Sequence, residues 1–103
     1  YCICYENSCL IPGYISEKIW DCLFSGCVPV YWGAPNIDTY IPNDIYIDRR
    51  KFDSDEQLAR RLFSISEREY ADYLRNAQRF LSSEKMYPFT AECYANTIVN
   101  ALF

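Results

Sequence analysis

The chain contains no histidine. Imidazole acid–base chemistry, His-containing triads and histidine metal sites are therefore excluded from these residues, and any proton transfer among them falls to carboxylates. Long apolar runs are also lacking. None approaches the ~18 residues that cross a bilayer, and no signal-peptide pattern is present. Excess positive charge is missing too: net charge is −4 with a pI near 4.7. That balance argues against a nucleic-acid surface, yet a phosphate needs only a few local donors, so an anionic ligand stays open. There is no G-x-G-x-x-G fingerprint and no P-loop. Internal repeats and low-complexity tracts are absent, and Asn7-Ser8-Cys9 and Asn96-Thr97-Ile98 both fall short of a glycosylation sequon.

Cysteine is plentiful, with six residues, but the spacing of a cysteine site is not. Cys2 and Cys4 fall on one face of a strand, while Cys22 and Cys27 sit in or just after an apolar helix. No pair has C-x-x-C spacing, so the cysteines read as small buried thiols of a reducing compartment rather than as a disulfide frame or a zinc site. No metal ligands are expected.

What the sequence does have is core. Of 103 residues, 50% are apolar and 17% aromatic, enough for one packed domain or half of a larger one, and disorder is not expected. The chain opens at Tyr1 without an initiator Met and runs straight into an apolar strand. The expectation is a C-terminal portion of a longer protein.

Tyr1 to Tyr5 is a short continuous apolar run, the pattern of a parallel strand covered on both faces. Glu6-Asn7-Ser8 ends it, and Pro12-Gly13 marks a turn. Ser16 is placed to cap a helix that begins with Glu17 and Lys18. That helix carries Ile19, Trp20, Leu23, Phe24 and Cys27 on one stripe and ends at Gly26 as the C′ residue. Val28–Trp32 reads as a second buried strand, with Pro29 at its entry. Gly33-Ala34-Pro35-Asn36 turns the chain, and Ile37–Ile41 makes one helical turn closed by Pro42. Ile45–Asp48 is a third strand, followed at once by Arg49-Arg50-Lys51. Ser54-x-x-Gln57 and Ser66-x-x-Glu69 read as capping boxes for helices over 55–63 and 67–82, the second with a hydrophobic staple from Ile65 to Tyr70. Leu58, Leu62, Tyr70, Tyr73, Leu74 and Phe80 would face inward. Thr90 caps a last helix, with a staple from Phe89 to Tyr94 and a stripe of Tyr94, Ile98, Ala101 and Leu102.

Strands alternating with helices across short connections predict an α/β fold, a partial Rossmann-like parallel sheet with helices on both faces and a helical C-terminal tail. Ligands of such sheets bind at the C-terminal ends of the strands. Three loops fall there: Glu6–Gly13, Gly33–Asn36 and Asp48–Lys51. Glu17 and Lys18 start the helix after the first loop, where backbone N–H groups and the helix dipole favour an anion. Lys18 suits a diphosphate, and the neighbouring Glu17 suits the vicinal hydroxyls of a ribose. The same two residues also fit a plain helix start, since Glu is favoured there by the dipole alone and Lys is commonly a solvated charge. Tyr14 equally suits packing, Asn7 an ordinary turn, and Arg49 and Arg50 either a phosphate or a solvated turn.

Three segments together resemble a known family. They are Tyr5-Glu6-Asn7-Ser8, Gly13-Tyr14-Ile15-Ser16-Glu17-Lys18-Ile19, and Gly26-Cys27-Val28-Pro29-Val30-Tyr31-Trp32-Gly33-Ala34-Pro35. Their order and spacing are similar to those of the α-1,3/1,4-fucosyltransferases, glycosyltransferase family 10. Tyr40-Ile41-Pro42 and Ile47-Asp48-Arg49-Arg50-Lys51-Phe52 extend the likeness, which covers about residues 4–75.

The resemblance implies the C-terminal half of a GT-B enzyme, with residues 1–103 forming one truncated GDP-sugar-binding domain. Such an enzyme transfers fucose, with inversion, from GDP-fucose to a glycan hydroxyl. It implies donor contacts at Glu6, Asn7, Tyr14, Glu17 and Lys18: Lys18 on the diphosphate, Glu17 on the ribose, Tyr14 along the phosphate and fucose side, Glu6 and Asn7 around the fucose. No catalytic residue is expected within the chain, because the family's base lies in an N-terminal acceptor domain, and no cofactor or metal is required beyond the donor substrate. The implied partners are the nucleotide sugar, the glycan acceptor and that N-terminal domain. A GT-B transferase using another nucleotide sugar, or a non-catalytic α/β interaction module, are the alternatives. The cysteines and missing sequons lean toward a bacterial, cytoplasmic protein with peripheral membrane association. A Golgi membrane protein is the eukaryotic alternative.

Overall fold

A computed structural model describes residues 1–102 and contains three parallel strands, β1 (Cys2–Tyr5), β2 (Pro29–Trp32) and β3 (Ile47–Asp48), in the order β1-β2-β3. The register pairs Cys4 with Tyr31 and Val30 with Ile47. Between them run α1 (Glu17–Phe24) and the single turn α2 (Ile37–Tyr40). A 3-10 turn over Arg49–Lys51 leads to α3 (Asp55–Ser64) and α4 (Glu67–Leu81). A second 3-10 segment, Glu84–Phe89, precedes α5 (Ala91–Leu102).

Alternation along the strands sorts the apolar side chains into two cores. Cys4 and Tyr31 point to one face, where they meet Ile19, Cys22 and Leu23 of α1, Ile37 of α2, and Ala77 and Phe80 of α4. Val28, Val30 and Ile47 belong to the opposite core, which Leu58 and Leu62 of α3 and Tyr70, Tyr73 and Leu74 of α4 cover. The first half of α4 thus packs in one core and its second half in the other. Trp20 stacks on Phe80 at 6.4 Å between ring centroids and packs against Phe89 at 4.7 Å.

The caps form at the expected residues. Ser16 Oγ accepts from Lys18 N–H. At the far end of α1, Gly26 has φ +79° while Cys27 N–H donates to Cys22 O and Gly26 N–H to Leu23 O. This pair of bonds is a Schellman closure, which needs the left-handed residue that glycine supplies without a Cβ penalty.

Four expectations need correction. β1 is not covered on both faces: Ile3 is 57% exposed, because β1 is an edge strand and α3 and α4 cover Val28, Val30 and Ile47 but not Ile3. The third strand shrinks to Ile47–Asp48, although Ile45 and Tyr46 are buried beside it. Neither capping box closes on both sides. Ser54 and Ser66 do accept from Gln57 and Glu69 N–H, but the Gln57 side chain takes Asp53 N–H and the Glu69 carboxylate pairs with Arg61 of α3. Finally, Thr90 caps α5 by accepting from Cys93 N–H, but Phe89 turns to Trp20 and Tyr40, leaving Tyr94 71% exposed without a staple. The α5 stripe of Tyr94, Ile98, Ala101 and Leu102 faces outward.

Phe80 is buried and stacks on Trp20 of α1, the helix that follows the first loop. Phe80→Ala should lower stability by about 3–5 kcal/mol, read as a reduced urea midpoint. A loss under about 1 kcal/mol would mean that α4 does not hold this core closed.

Candidate functional site

The C-terminal ends of the strands carry the candidate site. Glu6 N–H donates to Trp32 O at 2.8 Å, adding one bond to the β1–β2 ladder before the chain leaves the sheet. The Glu6 side chain then turns toward α1, where Oε1 accepts from Ser16 N–H at 3.0 Å. Oε2 is buried and has no protein partner. Asn7 Oδ1 accepts from Lys18 Nζ at 3.5 Å, so the loop holds the ammonium beside the helix N-terminus. Glu17, in the first turn, is exposed. Tyr14 lies at the surface, with its N–H donating to Ile11 O. At the turn, Gly13 has φ +75° and donates its N–H to Asn36 Oδ1 at 2.7 Å, tying the first loop to the second.

The second and third loops brace this arrangement. Tyr31 Oη accepts from Ala34 N–H at 3.0 Å inside the protein. A Cβ on Gly33 would stand 2.3 Å from Glu6 Cγ and 2.5 Å from Tyr31 Oη, so only glycine lets the loop pass between them. Arg50 holds Asp48 through two nitrogens and donates to Pro35 O at 2.8 Å, joining the third loop to the second. Arg49 donates to Phe52 O, pairs with Asp55 at 3.1 Å and lies 5.5 Å over the Trp32 ring. The two arginines that read as phosphate candidates are therefore engaged within the protein.

The electrostatics follow from these contacts. Burial works to raise the Asp48 carboxyl, but hydrogen bonds and charge from Arg50 outweigh it, and the carboxyl rests below its ordinary range. Burial, with Asp48 and Asp38 nearby, pushes the Tyr46 hydroxyl up to about 12. The Tyr31 hydroxyl is likewise raised by burial, against the Ala34 hydrogen bond.

Of the five residues read as donor contacts, Asn7 and Lys18 meet, Glu6 accepts from Ser16 N–H at the cap of α1, and Tyr14 and Glu17 are exposed beside them. One Glu6 oxygen frames the loop by accepting from Ser16 N–H. Sequence reading missed the framing residues Gly33, Tyr31, Asn36 and Arg50. Gly33 sat in plain view as a glycine at a strand end, but its neighbours there come from other loops. Among the described residues, concavities that lie elsewhere include one around Leu81, Met86 and Tyr87 and one around Tyr40, Lys85 and Phe89.

The cysteines are all free, but the reading of them as small buried thiols holds only for Cys4 and Cys22; Cys2 and Cys9 are exposed and Cys27 and Cys93 half-buried. Spacing along the chain offered no metal-ligand cluster, yet the fold brings the Sγ atoms of Cys2, Cys4 and Cys22 within 4.8 Å of one another. Two come from one face of β1 and the third from the α1 face packed over it. Burial pushes the Cys22 thiol up to about 12 and raises the Cys4 thiol as well.

Comparison with known proteins adds the following. The family model for the glycosyltransferase family 10 (fucosyltransferase) C-terminal region matches residues 1–99. An α-(1,4)-fucosyltransferase from Arabidopsis thaliana is 37% identical over 59 residues, 57% of this chain and 14% of that protein. A GDP-fucose protein O-fucosyltransferase 3 from Gallus gallus is 35% identical over 77 residues, 72% of this chain and 16% of that protein. The crystal structure of an α1,3-fucosyltransferase with GDP-fucose superposes with a TM-score of 0.60 at 29% identity, over 72% of this chain and 23% of that one. The chain thus spans a small part of the length of each relative.

Two outcomes test the geometry of the site. Gly33→Ala should destabilise the protein by about 1–3 kcal/mol, seen as a lower denaturation midpoint, because Glu6 and Tyr31 must move apart. Asp48 has a lowered folded pKa, so its contribution is full above the unfolded aspartate value of about 4 and fades as pH falls through the folded value. The stability difference between parent and Asp48→Asn should be constant above about pH 5 and narrow below about pH 4. A difference that does not change with pH would refute the pairing with Arg50.

Proposed function

The chain belongs to glycosyltransferase family 10, and on that premise we propose that it is the donor-binding unit of an inverting transferase that moves fucose from GDP-fucose to a glycan hydroxyl. The observation that carries this reading is Lys18. Its ammonium is held by Asn7 over the N-terminus of α1, where helix N–H groups and a fixed cation both favour the diphosphate.

Displacement at the sugar carbon needs two things: the leaving diphosphate must be stabilised as charge builds on it, and the acceptor hydroxyl must lose its proton. Lys18 and the start of α1 answer the first need. Glu17 is exposed in the same turn, and its carboxylate supplies the acceptors that a ribose's hydroxyls need. The unpartnered Glu6 Oε2 is a buried acceptor, which suits a donor hydroxyl of the bound sugar, and Tyr14 flanks the same loop. Glu6 Oε1 accepts from Ser16 N–H, which holds the carboxylate in the loop. The base belongs to an acceptor domain outside residues 1–103, and acceptor choice belongs there too.

Binding of GDP, UDP and ADP, followed by thermal shift of the purified protein, tests the donor assignment. GDP should stabilise most, and a preference for UDP would overturn the fucosyl reading. Lys18→Ala should weaken GDP binding by roughly 10- to 100-fold, as loss of a charge-assisted contact implies. Unchanged affinity would remove Lys18 from the site and favour a non-catalytic module.

A further inference from the structure

We propose that Cys2, Cys4 and Cys22 form a three-thiolate site for a thiophilic d10 metal ion, of the zinc(II), copper(I) and cadmium(II) type, separate from the donor residues. The ligand set decides the metal class. Three sulfurs converge, and neither an imidazole nor a carboxylate belongs to the cluster. Soft thiolates select such ions over magnesium, calcium or manganese, which take oxygen ligands.

The geometry is close to what a metal requires. The three Sγ atoms lie within 4.8 Å of one another. Metal–sulfur bonds of about 2.3 Å set sulfur–sulfur separations near 3.8 Å in a tetrahedral site, so the atoms have to close by about an ångström or less. Small side-chain rotations supply that. The backbones that carry the ligands are fixed: Cys2 and Cys4 by the ladder to β2, and Cys22 by the Schellman closure to which its own carbonyl belongs. Cys4 and Cys22 are buried between strand and helix, whereas Cys2 opens to solvent. Solvent at Cys2 provides a way in and a source of water for the fourth position.

Binding balances without any change of oxidation state. A divalent ion and three thiols give a three-thiolate complex of charge −1 and three protons. The site joins β1 to α1, the two elements that flank the Glu6–Ser16 loop. Cys2 begins the strand that ends at that loop, and Cys22 lies more than a helical turn beyond Lys18. A metal there would fasten the two elements together without occupying Glu6, Asn7, Glu17 or Lys18.

The test is a titration of the reduced, purified protein with cadmium(II), read by the ultraviolet sulfur-to-cadmium charge-transfer band, with zinc(II) as competitor. One cadmium per site is expected, displaced by zinc, with binding at least tenfold weaker in Cys2→Ser and lost in Cys22→Ser. Cys9→Ser, outside the cluster, should bind as the parent does. Cys2→Ser changes a solvent-facing side chain, so its melting temperature without metal should match the parent's, which separates loss of a ligand from loss of folding. Cadmium should raise the melting temperature of the parent and leave that of Cys22→Ser where it was. A charge-transfer band that persists in both Cys2→Ser and Cys22→Ser, or no band in the parent, would overturn the proposal.

Discussion

The central strand imposes the main constraint. β2 is hydrogen-bonded on both edges and covered on both faces, so Val28, Pro29, Val30 and Tyr31 are all buried. A strand in that position tolerates almost no polar side chain, because an unpaired group there would lose its water and gain nothing. Tyr31 is the exception that proves workable, since its hydroxyl accepts from Ala34 N–H just beyond the strand. Because β2 is fixed on all sides, β1 and β3 align to it in parallel and their ends bring three loops to one edge. The two cores are the two faces of this one strand.

The site inherits its order from that alignment. Glu6, Gly33, Tyr31, Asn36 and Arg50 hold the loops to one another through hydrogen bonds and close contact, and none of them needs a ligand in order to do so. Lys18 and Glu17 are then left at the rim with their charges available. Such division between a framework and a few presented groups is how a binding site keeps its geometry before its ligand arrives. The carboxylates Asp48 and Asp55 are taken up by Arg50 and Arg49, so two of the chain's acidic groups near the strand ends are already paired within the protein.

Local patterns in the sequence were legible wherever the deciding atoms lie within a few residues. Ser16, Gly26, Ser54, Ser66 and Thr90 cap the helices as their positions imply, and the α/β alternation follows from runs such as Val28–Trp32. Legibility ended where partners come from distant segments. The Gln57 and Glu69 side chains left their expected partners because Asp53 N–H and Arg61 offered others in the folded chain. The exposure of Ile3 depends on where α3 and α4 settle, and the apolar run Tyr1–Tyr5 carries no record of that. In the candidate site, Glu17 and Lys18 stood out as a charged pair at a helix start, and the family likeness extended the set to Glu6, Asn7 and Tyr14. The steric need for Gly33 and the meeting of Cys2 with Cys22 arise only from sheet register and helix packing.

Helix α4 packs its first half into one core and its second half into the other. In addition, Asn76 donates to Asp44 O, across 32 residues of sequence. During synthesis the strand–helix–strand segment can assemble early, since its contacts are near in sequence. The face carrying Val28, Val30 and Ile47 stays open until the ribosome has released the chain through Leu74, and the opposite face, already under α1 and α2, is completed only by Phe80. Until Leu74 emerges the nascent chain presents that apolar face of its sheet, the state in which unfinished domains are most exposed to misassociation and to capture by chaperones.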